Sequence, residues 1–140
     1  MKKVLMPLLG LLALLALTTA WAEETLHAAK QLDVYYFHGK RRCPTCLAVE
    51  TETRAVIETA FKKETDAGIL KFSVLNLDDP ASRGIAEQYG VWGSTLLMVD
   101  AQGQKTDLTD MGFRSARSKP EQFREELRAA IQQRLTPGAR

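Results

Sequence analysis

The strongest constraint on the fold is a strand–helix–strand pattern in the middle of the chain. Residues 32–38 read Leu-Asp-Val-Tyr-Tyr-Phe-His, a composition rich in aromatic and β-branched types that favours a β-strand. A helical pattern begins near Cys43, where Pro44 suits the first turn because its missing N–H needs no partner there. We expect this helix to end at Gly68 and residues 69–77, which alternate in polarity, to form a second strand. Such a unit has parallel strands and a right-handed crossover.

The rest of the chain completes an α/β pattern around this unit. Asp78-Asp79-Pro80 opens a short helix that Gly90 ends. An apolar strand, an antiparallel return strand and a closing helix follow, at residues 95–99, 105–109 and 120–135. The expected order is β-α-β-α-β-β-α, which predicts an α/β fold with a mixed four-stranded sheet and helices on both faces.

The N-terminus has the layout of a cleavable secretory signal. Lys2 and Lys3 precede a run of almost wholly apolar residues at 4–17, and small residues occupy the −3 and −1 positions of a cut after Ala22. The apolar run is shorter than the ~20 residues that a membrane-spanning helix needs. We therefore expect residues 1–22 to be removed and residues 23–140 to form one domain, periplasmic or secreted. An uncleaved N-terminal anchor is the alternative.

Charge and length exclude some classes of function. The chain has 19 basic and 17 acidic side chains, and two of the basic ones belong to the signal. A balanced mature chain lacks the concentrated basic surface of nucleic-acid-binding proteins, so no nucleic acid is expected as a partner. The length suits one domain, which we expect to be a monomer. The long helix carries four glutamates that we interpret as a solvated face, namely Glu50, Glu52, Glu58 and Glu64.

The chemistry of the chain centres on its two cysteines, Cys43 and Cys46. Unpaired N–H groups and the dipole at a helix N-terminus stabilise a thiolate on the first cysteine. Arg41 and Arg42 add positive charge beside it. We therefore expect Cys43 to be the attacking thiol and Cys46, about one turn further along, to resolve the mixed disulfide.

Other roles for the cysteines remain open. A structural disulfide is one, although a ring this small removes little chain entropy. Capture of a metal or cluster is another, with His38 as a third ligand, although a zinc site usually has four ligands and only His27 and His38 remain. His38 is otherwise a polar end of the first strand, or a group that tunes Cys43.

With these features the chain resembles the thioredoxin superfamily over nearly all of its mature region. The resemblance rests on the strand ending at His38, on the Cys-Pro-Thr-Cys motif at 43–46, and on residues 88–97, which are similar to the segment that faces the dithiol in that family. It implies a thioredoxin-like fold, no cofactor and no resident metal. It also implies exchange with protein thiols or disulfides, and an electron donor in the membrane if the protein is a reductant. The residues implied in substrate contact are Trp92, Gly93, Ser94 and Thr95.

The sequence also departs from the thioredoxin pattern. Ser94 stands where the family has a cis-proline, and a cis bond before serine costs roughly 2.5–4 kcal/mol, so we expect a trans bond. That proline helps to dock substrate and discourages metal capture, and its absence favours the metal alternative. Arg42 replaces the usual tryptophan before the first cysteine, and Tyr36 and Phe37 offer no match for the family's buried acid.

A closer resemblance is to exported thioredoxin-like proteins labelled as a nitrophenyl-compound nitroreductase subunit. Shared features are Tyr36-Phe37-His38 before an Arg-Cys-x-x-Cys motif and the stretch Gly112-Phe113-Arg114. Nothing in the sequence looks like a flavin site. This likeness admits a third role, a redox-inert partner subunit that uses the fold for protein contacts through Trp92, Phe113 and Arg114.

Overall fold

The computed structural model describes residues 31–136, so the predicted signal at 1–22 lies outside the described residues. The strands are β1 (Leu32–His38), β2 (Leu70–Asn76), β3 (Thr95–Asp100) and β4 (Lys105–Asp107). The helices are α1 (Pro44–Ala60), α2 (Lys62–Asp66), α3 (Pro80–Tyr89), α4 (Thr109–Ser115) and α5 (Pro120–Leu135). Among the described helices none has the length and apolar character to cross a membrane.

The strands form one mixed sheet in the order β2-β1-β3-β4. Strand β1 is parallel to β2 and antiparallel to β3, and β3 is antiparallel to β4. The β3–β4 turn is closed by Asp100, whose carboxylate accepts from the backbone N–H groups of Gln102 and Gln104 at 3.0 and 2.8 Å. The predicted fold class is confirmed: the chain has an α/β, thioredoxin-like fold with a mixed four-stranded sheet.

The two faces of the sheet carry separate apolar clusters, because successive strand residues point to opposite sides. Tyr36 lies in the larger cluster with residues of α1, α4 and α5, and Phe37 lies in the smaller one with Ala86 of α3. Tyr35 packs against the smaller cluster. Helices therefore cover both faces of the sheet, as predicted, and the two tyrosines point to opposite faces.

The helix predicted to run from Cys43 to Gly68 is interrupted at Phe61. The backbone of Phe61 leaves the helical region, at φ −127° and ψ 26°, and its ring is buried in the larger cluster. Burial of this ring against the sheet outweighs continuation of the local helical pattern, so α1 and α2 are separate. The predicted stop at Gly68 is confirmed, since Gly68 has φ 72°, a left-handed conformation that favours glycine.

The sequence did not predict α4. The return strand expected to reach Thr109 ends at Asp107, whose carboxylate accepts from the Thr109 N–H at 2.8 Å, and α4 begins at Thr109 instead. Within α4, Gly112 lies so close to Val49 of α1 that a Cβ there would be 3.3 Å from a Val49 methyl. A helix with a central glycine gives a weak local signal, because glycine is a poor helix former.

Candidate dithiol site

The dithiol lies at one edge of the sheet. Strand β1 ends at His38 and leads through residues 39–42 to Cys43, and β3 begins beside that end, where Thr95 pairs with Phe37. The loop that precedes β3 therefore lies at the same edge as the loop that carries the dithiol. Carboxyl ends of parallel strands and the start of an antiparallel neighbour meet at one sheet edge, which gathers loops from distant parts of the sequence.

Cys43 is the N-cap of α1. The backbone of Cys43 is extended, at φ −76° and ψ 161°, and Pro44 occupies the first turn of the helix. The Cys43 sulfur accepts from the Cys46 N–H at 3.1 Å. Cys43 is exposed and Cys46 is buried, and both are free thiols. The arrangement presents one sulfur to solvent and keeps the other behind it. The side-chain oxygen that usually caps a helix is replaced here by a sulfur.

Hydrogen bonds lower the pKa of Cys43. The largest contribution comes from the Cys46 thiol, and the backbone N–H groups of Cys46 and Thr45 act in the same direction, against a smaller opposing effect of desolvation. Donors directed at a sulfur favour its charged form. The hydrogen bonds at the helix start and from the second thiol therefore act in the expected direction.

The two arginines before Cys43 differ in their surroundings. The guanidinium of Arg42 forms an ion pair with Glu50, one turn beyond Cys46 in α1. Arg41 is exposed and has no ion pair within residues 31–136. The sequence predicts that both arginines add positive charge beside the sulfur. Arg42 differs from that expectation, because its guanidinium is paired with Glu50 of α1.

Tyr36 of β1 contacts the backbone of the dithiol segment. This residue is fully buried, and its hydroxyl donates to the backbone carbonyl of Cys46 at 2.9 Å. Burial raises the pKa of Tyr36 well above its ordinary value, which keeps the hydroxyl protonated as a donor. The Arg42 guanidinium lies over the ring, with Cζ 5.8 Å from the ring centroid, a distance suited to a cation–π contact.

Glu50 is the functional candidate that the sequence did not reveal. Its side chain is only 20% exposed, and Arg54 donates to it at 3.1 Å in addition to Arg42. Burial acts to raise the pKa of Glu50, but the two arginines outweigh it and hold the pKa below its ordinary value. Glu52 is also covered and pairs with Arg124 of α5 at 2.5 Å. The interpretation of the glutamates as a solvated face is wrong for these two residues.

The loop before Cys43 has a second attachment, at Lys40. The Lys40 N–H donates to the Asp78 carboxylate at 2.6 Å, which ties the loop to the end of β2. His38 is half-buried and its Nδ1 donates to the Gly39 carbonyl at 2.9 Å. This position agrees with a polar end of the first strand. No group of three or more His, Cys, Asp or Glu side chains suited to a metal ion occurs between residues 31 and 136.

The loop predicted to contact substrate is exposed at the same edge. The Trp92 side chain is 83% exposed, the largest exposure of any large apolar residue described. The Thr95 hydroxyl donates to the Gly93 carbonyl at 3.0 Å, which tightens the loop. The peptide bond before Ser94 is trans, as expected, since every peptide bond described is trans.

Together the fold and site define a thioredoxin-like domain with a Cys-x-x-Cys pair at a helix start, in which Cys43 is exposed and Cys46 is buried. Among solved structures the chain is similar to a crystal structure of Trxlp from Edwardsiella tarda EIB202, at 16% identity over 76% of this chain and 91% of that one, with a TM-score of 0.46. It is also similar to a solution structure of a thioredoxin from Thermus thermophilus, at 20% identity over 77% and 82% of the chains, with a TM-score of 0.40. No protein-family model matches the chain, and no curated protein matches it.

Proposed function

We propose that the protein is a thiol–disulfide exchange protein, with Cys43 attacking and Cys46 resolving. The observation that carries this proposal is the exposed Cys43 sulfur, which accepts from the Cys46 N–H at the start of α1 while Cys46 lies buried behind it. A thiolate is the nucleophile in disulfide exchange, and donors at a helix start increase its population near neutral pH.

The reaction has two steps. The Cys43 thiolate attacks one sulfur of a partner disulfide, forms a mixed disulfide and releases the other partner sulfur as a thiolate. Cys46 then loses its proton and attacks the Cys43 sulfur, which closes the Cys43–Cys46 disulfide and releases the second partner thiolate. Two electrons pass from the dithiol to the partner, and solvent exchanges the protons. The reverse sequence oxidises a partner dithiol.

Two single substitutions test this function. Cys43→Ser removes the nucleophile and should abolish exchange with oxidised glutathione, and Cys46→Ser should leave the first step intact and accumulate a mixed disulfide detectable by mass spectrometry. Exchange that survives in Cys43→Ser, or wild-type protein that exchanges no faster than a free cysteine, would contradict the proposal.

We propose further that residues 92–95 contact the partner, which is a protein thiol or disulfide. The support is the 83% exposure of Trp92 and the position of this loop at the edge of the sheet that carries Cys43. Trp92→Ala should raise KM for a protein disulfide and leave the rate with oxidised glutathione unchanged, because a small substrate does not reach the loop. Leu47→Ala, which removes another exposed apolar side chain, is the matched comparison. Equal effects of Trp92→Ala on both substrates would contradict this role.

We also propose that the protein is exported and acts as a monomer, periplasmic or secreted. The support is the basic start, apolar run and small residues before Glu23. Expression of the full chain should give a processed protein that begins at Glu23, which mass spectrometry would identify. An electron donor in the membrane is needed only if the exported protein works as a reductant. Light scattering on the processed protein tests the monomer.

A further inference from the structure

The residue before the attacking cysteine is joined to the helix that the dithiol begins. Arg42 forms an ion pair with Glu50, and its Nη2 lies 3.5 Å from the carbonyl oxygen of Cys46. The same carbonyl accepts from the Tyr36 hydroxyl at 2.9 Å. Contacts from the loop and from the sheet thus converge on the carbonyl of Cys46, and Arg42 links this carbonyl to Glu50 further along α1.

The charge of Arg42 is paired with that of Glu50, which Arg54 also contacts. The side chains of Arg42 and Glu50 are 22% and 20% exposed, and each offsets the other. The hydrogen bonds on the Cys43 sulfur come instead from Cys46 and from the backbone. Neither Arg42 nor Glu50 is among these donors, but Arg42 is joined to the turn of α1 that carries them.

We propose that Arg42 is a positioning residue of the dithiol, whose ion pair with Glu50 holds the first turn of α1 with the Cys46 N–H directed at the Cys43 sulfur. This inference rests on the proposed exchange function and deepens it. A neutral sulfur is a weak acceptor and a thiolate is a strong one, so a turn held in this arrangement favours the reduced protein over the disulfide.

The preference for the reduced protein determines how the Arg42–Glu50 ion pair should affect the oxidising strength of the dithiol. Reduction of the Cys43–Cys46 disulfide consumes two electrons and two protons and gives two thiols, one of which ionises in its hydrogen-bonded position. Stabilisation of the reduced form makes a dithiol couple more oxidising. Loss of the Arg42–Glu50 ion pair should therefore make the protein a weaker oxidant and raise the pKa of Cys43.

Glu50→Ala separates positioning from simple charge. If charge alone acted on Cys43, removal of the negative Glu50 would lower the pKa of the thiol; if positioning acts, the pKa rises. We expect a rise, together with a threefold to tenfold shift of the equilibrium with glutathione toward the disulfide form, where tenfold equals about 30 mV for a two-electron couple. Thiolate absorbance against pH and equilibration in glutathione buffers measure the two quantities.

Further variants complete the test. Arg42→Ala should act in the same direction as Glu50→Ala, and the double variant should add nothing, because either change breaks the same pair. Arg42→Lys, which keeps one ion pair, should restore part of the effect. Arg41→Ala removes the same charge from the exposed neighbour, and Arg54→Ala removes the other partner of Glu50; both should stay close to wild type.

Several results would overturn the inference. A lowered or unchanged Cys43 pKa in Glu50→Ala, additive effects in the double variant, or an equal effect of Arg41→Ala would each do so, provided that circular dichroism shows folded variants. The thiolate titration needs no exchange partner. A wild-type protein without exchange activity would thus contradict the proposed function, and the titration would still decide the role of Arg42.

Discussion

The Cys43 sulfur is both the candidate nucleophile and the cap of α1, and these two roles depend on the same hydrogen bonds. The Cys46 N–H, which donates to the capping Cys43 sulfur at 3.1 Å, also stabilises the charged form of that sulfur. The start of the helix needs a hydrogen-bond acceptor, and the nucleophilic sulfur needs donors. Because one hydrogen bond supplies both, activation of the thiol and stability of the first turn are coupled.

This coupling has a pH dependence of known sign. The folded protein holds the pKa of Cys43 below its ordinary value, so the contribution to stability is present above the unfolded-state pKa of about 8.5 and is lost as pH falls through the folded-state pKa. We expect the reduced protein to gain stability over Cys43→Ser as pH rises through that window, measured by urea unfolding at several pH values. A difference that shrinks with rising pH would contradict this expectation.

Thr53 is a second residue whose environment makes a direct prediction. Its side chain is fully buried in α1, and its hydroxyl oxygen has no hydrogen-bond partner within the part of the chain that the structure describes. Thr53→Val keeps the shape and removes the unpaired group, which should raise the free energy of unfolding by about 1 kcal/mol. Urea denaturation measures this, and Thr53→Ser, which keeps the hydroxyl and loses a methyl, should destabilise.

At the scale of elements, two helix glycines should respond oppositely to the same substitution. Gly84 in α3 has open space around a Cβ, whereas a Cβ on Gly112 in α4 would be 3.3 Å from Val49. Gly84→Ala should stabilise by about 0.5–1 kcal/mol through the lower entropy of the unfolded chain. Gly112→Ala should destabilise by about 1 kcal/mol, because crowding against a buried valine exceeds the gain in helix propensity. Thermal unfolding of both variants tests the contrast, and stabilisation in both would show that α1 and α4 can separate at no cost.

The elements that could be predicted from sequence are those with local signals. Asp79 caps the start of helix α3 and accepts from the Ala81 N–H at 3.0 Å, and Gly90 has a left-handed conformation at the end of the helix. Both residue types are recognisable in the sequence as typical of helix ends. The break at Phe61 and the helix α4 depend on burial against partners elsewhere in the chain. Their positions follow from tertiary packing, which a local pattern does not contain.

The candidate site divides in the same way. Cys43, Pro44 and Cys46 are neighbours in sequence, and their spacing is sufficient to place a dithiol at a helix start. Glu50 and Tyr36 reach the site through contacts between a loop, a strand and a helix. Exposed glutamates and glutamates paired across elements look alike in a sequence, so the pairing of Glu50 with Arg42 had no signal that could have revealed it.

At the scale of the whole molecule, the oxidation state of the dithiol should change the stability of the fold. The reduced form keeps the donors on the Cys43 sulfur, and a ring as small as the Cys43–Cys46 disulfide constrains the unfolded chain little. We expect the reduced protein to unfold at higher urea concentration than the oxidised protein. The difference should be absent in Cys46→Ala, which forms no internal disulfide, and higher stability of the oxidised form would contradict the expectation.

The order of the strands also determines at which stage of its synthesis the chain can fold. Of the strands described, β1 leaves the ribosome first, yet it lies between β2 and β3, and its antiparallel neighbour is made only after α3 is complete. Pairing between segments so far apart in sequence carries a loop-closure cost that later contacts must offset. A fragment that ends at Gly90 should therefore show no cooperative unfolding in circular dichroism. We therefore expect the growing chain to stay unfolded until β3 has been made, with both thiols accessible to solvent until then.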